Sequence, residues 1–211
     1  MRNETETRER LLKVAKAEFL ELGYEKASIR KICKKAGVTT GALYFFFKDK
    51  NDLFADLVKK VAIEVKEVIV HHTQNEQVLY LNEKVTQQMI ITDGIEQGRE
   101  FVSYMYEHKD EFMLLLNKSN GSSYENFYDE LVDLMEENTC LLLDYIGIDD
   151  KKKKALSRYT MHWLAHLETS SFAQLLTHDL SLEEALLQAD MIAKFLSGGW
   201  LSVLGDDIVI K

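Results

Sequence analysis

The sequence predicts an all-α protein. Proline is absent from its 211 residues, so no helix interior contains the residue that breaks helices most strongly. Long segments repeat their apolar residues at about 3.6-residue spacing, and the alternating β-branched runs of strands are rare before the last few residues. With 46% hydrophobic residues, the chain can bury one sizeable core, or a small domain beside a larger one.

Cysteine usage and hydropathy limit the class of protein. Cys33 and Cys140 lie far apart, and no secretory signal precedes them. We therefore expect reduced core thiols in a cytoplasmic protein. No apolar run approaches the roughly 18–20 residues that span a bilayer, so we expect no membrane segment.

The first helix is predicted over residues 5–22. Its inner face follows helical spacing and carries five apolar side chains: Leu11, Leu12, Ala15, Phe19 and Leu22.

A second, short helix is predicted directly after Ser28, whose hydroxyl suits an N-cap. Ile29, Ile32 and Cys33 fall three and four residues apart and form an apolar stripe, while basic residues cover the other faces. Gly37 ends this helix, because glycine reaches the left-handed conformation without steric cost.

A third helix begins at Thr39 or Thr40, either of which would cap it, and Leu43 and Phe47 are expected to pack inward. Two short helices joined by a glycine turn have the spacing of a helix-turn-helix, whose second helix enters a DNA groove. A helical hairpin with no DNA-binding role would show the same turn and basic face.

The charge distribution favours DNA binding by the N-terminal quarter. Residues 1–60 carry 14 Lys and Arg against 9 Asp and Glu, whereas the remaining residues carry 12 against 26. Because fields are screened beyond about 8–10 Å at physiological salt, local charge and not the acidic average governs attraction to phosphate.

The N-terminal segments together resemble a known family. Helix one with Phe19, the turn Leu22-Gly23-Tyr24, and the runs A-S-I-R-K-I, A-G-V-T-T-G-A-L-Y-F-F-F and K-D-K-N-D-L are similar to the N-terminal domain of TetR-family transcriptional regulators. The resemblance covers roughly residues 5–60. It implies a three-helix DNA-binding domain over residues 1–48 and a larger helical ligand-binding and dimerisation domain over 49–211, with 49–70 as the connecting helix. It also implies a homodimer that binds double-stranded operator DNA and releases it when a small molecule occupies the larger domain.

The resemblance assigns roles to individual residues. It places Thr39, Thr40 and Gly41 at the groove end of the recognition helix, where exposed N–H groups and hydroxyls can bind phosphate. Tyr44 matches a phosphate-contacting tyrosine, and Lys50 matches the lysine that opens helix four.

Three further positions complete the predicted DNA-binding set. Ser28 and Arg30 on the supporting helix would reach the backbone or a base edge, and the fork of Arg30 fits guanine. The sequence departs from the family pattern at Phe45-Phe46, because one of these positions is commonly histidine or another polar aromatic residue. Phenylalanine cannot donate a hydrogen bond, but Phe45 could still contact a thymine methyl or a sugar. Phe46 and Phe47 are interpreted as core first.

Beyond residue 48 the pattern predicts a long helix, a linker and a series of shorter helices. The linker is the run H-H-T-Q-N-E-Q, residues 71–77. The later helices are expected at 76–91, 94–107, 109–117, 123–146, 151–178 and 182–204, with breaks at Asp93-Gly94, 117–123, Gly147 and 179–181. Ser181 and Glu184 have the spacing of a capping box.

The last two helices are predicted to form the dimer interface as a four-helix bundle, through Tyr159, Phe172, Leu186, Ile192, Phe195, Leu196 and Trp200. Gly198-Gly199 would allow close helix approach there.

A ligand pocket is expected to draw on apolar residues with a few polar groups, chosen from Phe101, Tyr104, Met105, Phe112, Met113, Leu116, Tyr128, Trp163 and His166. Many of these would be ordinary core.

Three functions compete. The favoured one is a ligand-gated transcriptional regulator, most simply a repressor released by a small apolar or amphipathic ligand. The second is a DNA-binding regulator gated by a protein partner, or constitutive. The third is a metal-dependent enzyme using His162 and His166, but two histidines without a third ligand indicate a metal weakly. No nucleophile motif or phosphate-cradling glycine loop supports an enzyme, so we predict no enzymatic activity, no metal and no cofactor.

Overall fold

The all-α prediction is confirmed. The computed structural model describes residues 2–82, 86–146 and 148–204, and every regular element in these ranges is a helix. In chain order they are α1 (Arg2–Lys26), α2 (Ile29–Ala36), α3 (Thr40–Phe46), α4 (Lys50–Asn82), α5 (Gln87–Glu107), α6 (Lys109–Asn117), α7 (Phe127–Ile146), α8 (Asp150–Ala155), α9 (Arg158–Thr177) and α10 (Leu182–Leu204). None of the described helices is both long enough and apolar enough to cross a bilayer.

Local capping fixes several helix ends where the sequence predicted them. The Ser181 N–H donates to Glu184 Oε2 at 2.8 Å and the Glu184 N–H donates to Ser181 Oγ at 3.3 Å, which is the predicted capping box of α10. The bounds of α6 and α10 agree with the predicted 109–117 and 182–204. Within α1, Gly23 has φ of 76° and interrupts the helix at the predicted turn.

Three predictions about the larger domain are wrong. Residues 71–77 are not a linker, because α4 continues through them to Asn82; Thr73 is buried there, and its hydroxyl donates to the Ile69 carbonyl. Asp93-Gly94 is not a break but part of α5. The helix predicted over 151–178 is two helices, because Ser157 caps a new start by accepting from the Thr160 N–H at 3.3 Å. The break predicted at Gly147 lies outside the described residues.

The first compact unit comprises residues 1–64 and 108–128. Its core includes the predicted Leu11, Ala15 and Phe19 of α1, all fully buried. α6 packs on α1 in the same unit, where Lys16 Nζ lies 2.5 Å from Glu111 Oε1. The division at residues 48 and 49 into a DNA-binding and a ligand-binding domain is functional and stays a prediction.

The second compact unit comprises residues 65–107 and 129–211, and α5 and α10 are its most extensively packed pair. Small side chains permit their close approach: a Cβ on Gly94 would lie 2.9 Å from Ser197 Oγ. On α10 the facing residues are the buried Ala185, Ala189 and Ala193. Gly94 therefore marks a tight helix–helix contact and not a helix end.

Candidate nucleic-acid interface

The helix-turn-helix forms as predicted. Gly37 adopts the left-handed conformation, with φ of 66° and ψ of 35°, and the Val38 N–H donates to the Cys33 carbonyl at 3.0 Å. Thr39 then caps α3 by accepting from the Ala42 N–H at 3.1 Å. Ser28 occupies the N-cap position of α2, but its side chain makes no cap hydrogen bond, so that predicted role is wrong.

Burial separates the supporting side of the motif from its outer face. Ile32, Cys33, Leu43 and Phe47 are at most 2% exposed and join the core of the first unit, as the sequence predicted for the inward-facing residues. Burial also raises the pKa of the Cys33 thiol, which keeps it protonated at neutral pH. Phe45, by contrast, is 72% exposed, so it lies on the outer face and not in the core.

All of the predicted groove residues at the start of α3 are exposed to solvent. Thr39, Thr40 and Gly41 are exposed, and the Tyr44 side chain is 55% exposed one turn further along. Hydroxyls and helix N-terminal N–H groups on one surface can bind phosphate oxygens, while the exposed Phe45 ring can contact a thymine methyl or a sugar.

The supporting helix α2 adds positive charge. Arg30, Lys31 and Lys34 are exposed, whereas Ser28 is half-buried. Lys35, by contrast, forms an ion pair within the domain. Its ammonium lies 2.6 Å from the carboxylate of the buried Glu18, and this hydrogen bond raises the pKa of Lys35. Arg30, the residue predicted to read a base, therefore lies exposed at the surface.

Lys50 has a structural role that the sequence did not reveal. Its ammonium donates to the carbonyls of Glu25 and Ala27, at 3.2 and 3.1 Å, and lies 4.3 Å from the ring centre of Tyr24. Burial lowers the pKa of Lys50. The side chain therefore satisfies carbonyls at the end of α1, and its contact with phosphate stays a prediction.

The predicted dimer residues fall into two groups. Tyr159 and Phe195 are 79% and 72% exposed. The others are half-buried, and four of them pack against core clusters of their own subunit: Phe172, Leu186, Ile192 and Trp200. Sequence periodicity identified the apolar helices but could not separate the inner stripe from the outer one.

The predicted pocket residues are distributed over both compact units. Phe112, Met113, Leu116 and Tyr128 belong to the first, and the other five belong to the second. Met105 and Phe112 are 1% exposed and serve as core, whereas Trp163 is 45% exposed. Their contact with a ligand stays a prediction.

Two clusters of potential metal ligands occur among the described residues of the second unit. In the first, His162 Nδ1 lies 2.8 Å from Glu136 Oε2, and Asp133 is close to both residues. The neighbours of His162 in this cluster are therefore two carboxylates on α7. The second cluster, His72, Glu76 and Asp93, was missed because its histidine and glutamate lie in the segment interpreted as a linker. Their i, i+4 spacing was the available signal.

Comparisons with known proteins agree with this geometry. The family model for bacterial regulatory proteins, tetR family, matches residues 11–57. The HTH-type transcriptional regulator AcrR of Shigella flexneri is 48% identical over 52 residues, which are 25% of this chain and 24% of that protein. The HTH-type transcriptional repressor BepR of Brucella suis is 38% identical over 65 residues, or 31% of each protein. The chain thus spans less than a third of the length of these curated relatives.

The likeness in fold covers most of the chain. The solved SmeT–triclosan complex, of a repressor from Stenotrophomonas maltophilia, superposes with a TM-score of 0.57 at 18% identity and covers 92% of this chain and 90% of that one. The residues that the family model matches lie within α1 to α4. The helix-turn-helix domain of this chain is therefore similar to that of the tetR family of bacterial regulatory proteins.

Proposed function

We propose that the chain is a sequence-specific DNA-binding transcriptional regulator, most simply a repressor, that binds operator DNA as a homodimer and releases it when a small molecule binds the larger domain. The observation that carries this proposal is the outward face of α3, where Thr39, Thr40, Gly41, Tyr44 and Phe45 are all exposed. Such a role is non-enzymatic and acts in the cytoplasm, where the proposed target lies.

Charge supports the same surface. Residues 1–60 have a formal excess of positive charge in a chain whose net charge is −9, and Arg30, Lys31 and Lys34 are exposed on α2 beside the recognition helix. These cations would neutralise phosphates and fix the register, while α3 enters the major groove.

An apolar surface on the last two long helices supports the homodimer. On α9, Tyr159, Trp163 and Leu167 are exposed at four-residue spacing, and on α10 Leu187, Met191 and Phe195 repeat that spacing. We call these six side chains the outer stripe. Contiguous exposed apolar side chains mark association sites, and a two-fold axis would pack two outer stripes into a four-helix bundle.

Release by a small molecule is inferred from the likeness to SmeT, a repressor of a multidrug efflux pump that has been solved with triclosan. A ligand that binds one spacing of the two DNA-binding domains better than the other would shift the population between them. The predicted pocket residues are where we expect its contacts.

The decisive experiment is selection of bound duplexes from a random pool by the purified chain. We expect enrichment of a site with two related half-sites, about one DNA turn or a multiple of it apart. A pool that stays random at low ionic strength would reject the proposal.

A substitution then tests the recognition face on the selected duplex. Tyr44→Phe removes one phosphate hydrogen bond from each subunit, and each bond is worth about 1 kcal/mol, so the affinity of the dimer should fall about thirtyfold on every duplex. Tyr145→Phe, at a 41% exposed tyrosine of α7, is the matched control and should change nothing. Equal losses in both variants would mean that Tyr44 does not contact DNA.

A further inference from the structure

Three metal-binding side chains of the second unit converge from two helices. His72 and Glu76 are one turn apart on α4, and Asp93 projects from α5. One potential ligand atom from each lies within 4.8 Å of the other two. Donor atoms at this mutual distance fit around a single ion.

The His72 imidazole has a ring nitrogen that is available to bind a metal. His72 Nδ1 is buried and has no hydrogen-bond partner among the described residues, while Nε2 lies 3.7 Å from Glu76 Oε1. A buried ring nitrogen without a partner is costly unless something absent from the chain itself satisfies it.

A hydrogen bond within α5 orients the Asp93 carboxylate. Its Oδ2 accepts from Gln97 Nε2 at 2.6 Å, one turn along α5, so the second oxygen remains to bind. Hydrogen bonds of this kind hold metal-binding carboxylates in place. Gln97 is therefore a positioning residue.

The carboxylates of the cluster have no cationic partner in the part of the chain that the structure describes. Glu76 and Asp93 are partly buried, and among the described residues no lysine or arginine forms an ion pair with either of them. A divalent cation would supply the missing positive charge.

We propose that His72, Glu76 and Asp93 bind a divalent transition-metal cation and that this ion is an effector of the regulator. One imidazole with two carboxylates suits Zn²⁺ or Mn²⁺ better than Mg²⁺, which prefers oxygen and water. The effector role rests on the proposed function, whereas the metal site does not. His72 and Glu76 belong to α4, which begins directly after the helix-turn-helix and reaches into the second unit.

The site is tested on the full chain after treatment with a chelator. Calorimetric titration with ZnCl₂ and with MnCl₂ should show one ion per chain for at least one of them. His72→Gln and Asp93→Asn should each weaken that ion by about tenfold or more, since even the outer partners of metal ligands contribute that much. His162→Gln, in the second histidine–carboxylate cluster, is the matched control and should leave the affinity unchanged.

Further measurements distinguish a missing metal site from a variant that fails to fold. Visible absorption of bound Co²⁺ should be altered by His72→Gln, and circular dichroism should show that the variant folds. Absence of binding to the wild-type chain would overturn the site, as would loss of binding in His162→Gln with retention in His72→Gln. Binding of ethidium that depends on His72, without metal binding, would assign an organic cation instead.

The effector role has its own readout. With a selected duplex, the chosen ion should change the affinity of the wild-type chain for DNA and leave that of His72→Gln unchanged. An unchanged wild-type affinity would overturn the effector role but not the site. A chain that binds no duplex would refute the proposed function, while the titration of the protein alone would still test the metal site.

Discussion

Replacement of Phe195 by alanine tests the proposed dimer interface. Phe195 is 72% exposed on α10 and lies at the end of the α10 part of the outer stripe, after Leu187 and Met191. Full burial of a phenylalanine side chain contributes about 1.5–3 kcal/mol, so burial of the exposed fraction contributes about 1–2 kcal/mol. A two-fold interface contains the residue twice, which gives about 2–4 kcal/mol and a rise of about 30- to 1,000-fold in the dissociation constant of the dimer.

Sedimentation equilibrium over a range of protein concentrations measures that constant. Phe45→Ala is a close control, because Phe45 has the same exposed fraction but lies on α3, where we propose contact with DNA. The reasoning is refuted if Phe195→Ala leaves the monomer–dimer equilibrium unchanged, or if Phe45→Ala shifts it equally.

Three other predictions follow from particular contacts. Gly98→Ala should raise the melting temperature by about 2–4 °C, because alanine favours a helix by about 1 kcal/mol and its Cβ would meet Phe172 at an ordinary 3.6 Å; a lower value would mean that the packing around Gly98 cannot accommodate a methyl group. Asp190 accepts two hydrogen bonds from Arg99, at 2.6 and 2.9 Å, which lower its pKa. This stabilisation is present above the usual aspartate pKa and is lost as the pH falls, so D190N should cost about 1 kcal/mol or less at pH 7 in urea unfolding, and the difference should shrink in acid. Arg30→Gln should relax the preference at one base pair of each half-site by about 1–3 kcal/mol; equal losses on all duplexes in the binding selection would make Arg30 a backbone contact.

The sequence predicted best those elements whose ends depend on local chemistry. Gly37, Thr39 and the pair Ser181 and Glu184 act through hydrogen bonds within a few residues of themselves, so their spacing was enough to place α2, α3 and the start of α10. The outer face of α3 followed from the same bounds, because helical periodicity sets which residues accompany the buried Leu43.

The errors arose where packing between distant segments decides the structure. Gly94 resembles a helix end but allows close approach to Ser197, more than a hundred positions further along the chain. The polar run from residue 71 resembles a linker, yet Thr73 is buried within α4. The same error concealed the cluster of His72, Glu76 and Asp93, because two of its members were assigned to a loop and the third to a break.

The discontinuity of the first compact unit has a practical consequence for protein engineering. The unit includes residues 108–128, and the Tyr24 N–H donates to the Lys118 carbonyl at 2.8 Å. A fragment that stopped after the helix-turn-helix would lack α6 and lose the buried Phe112, Leu114 and Leu115. A chimera that exchanges DNA specificity with a relative should therefore carry both segments, or replace only the surface of α3.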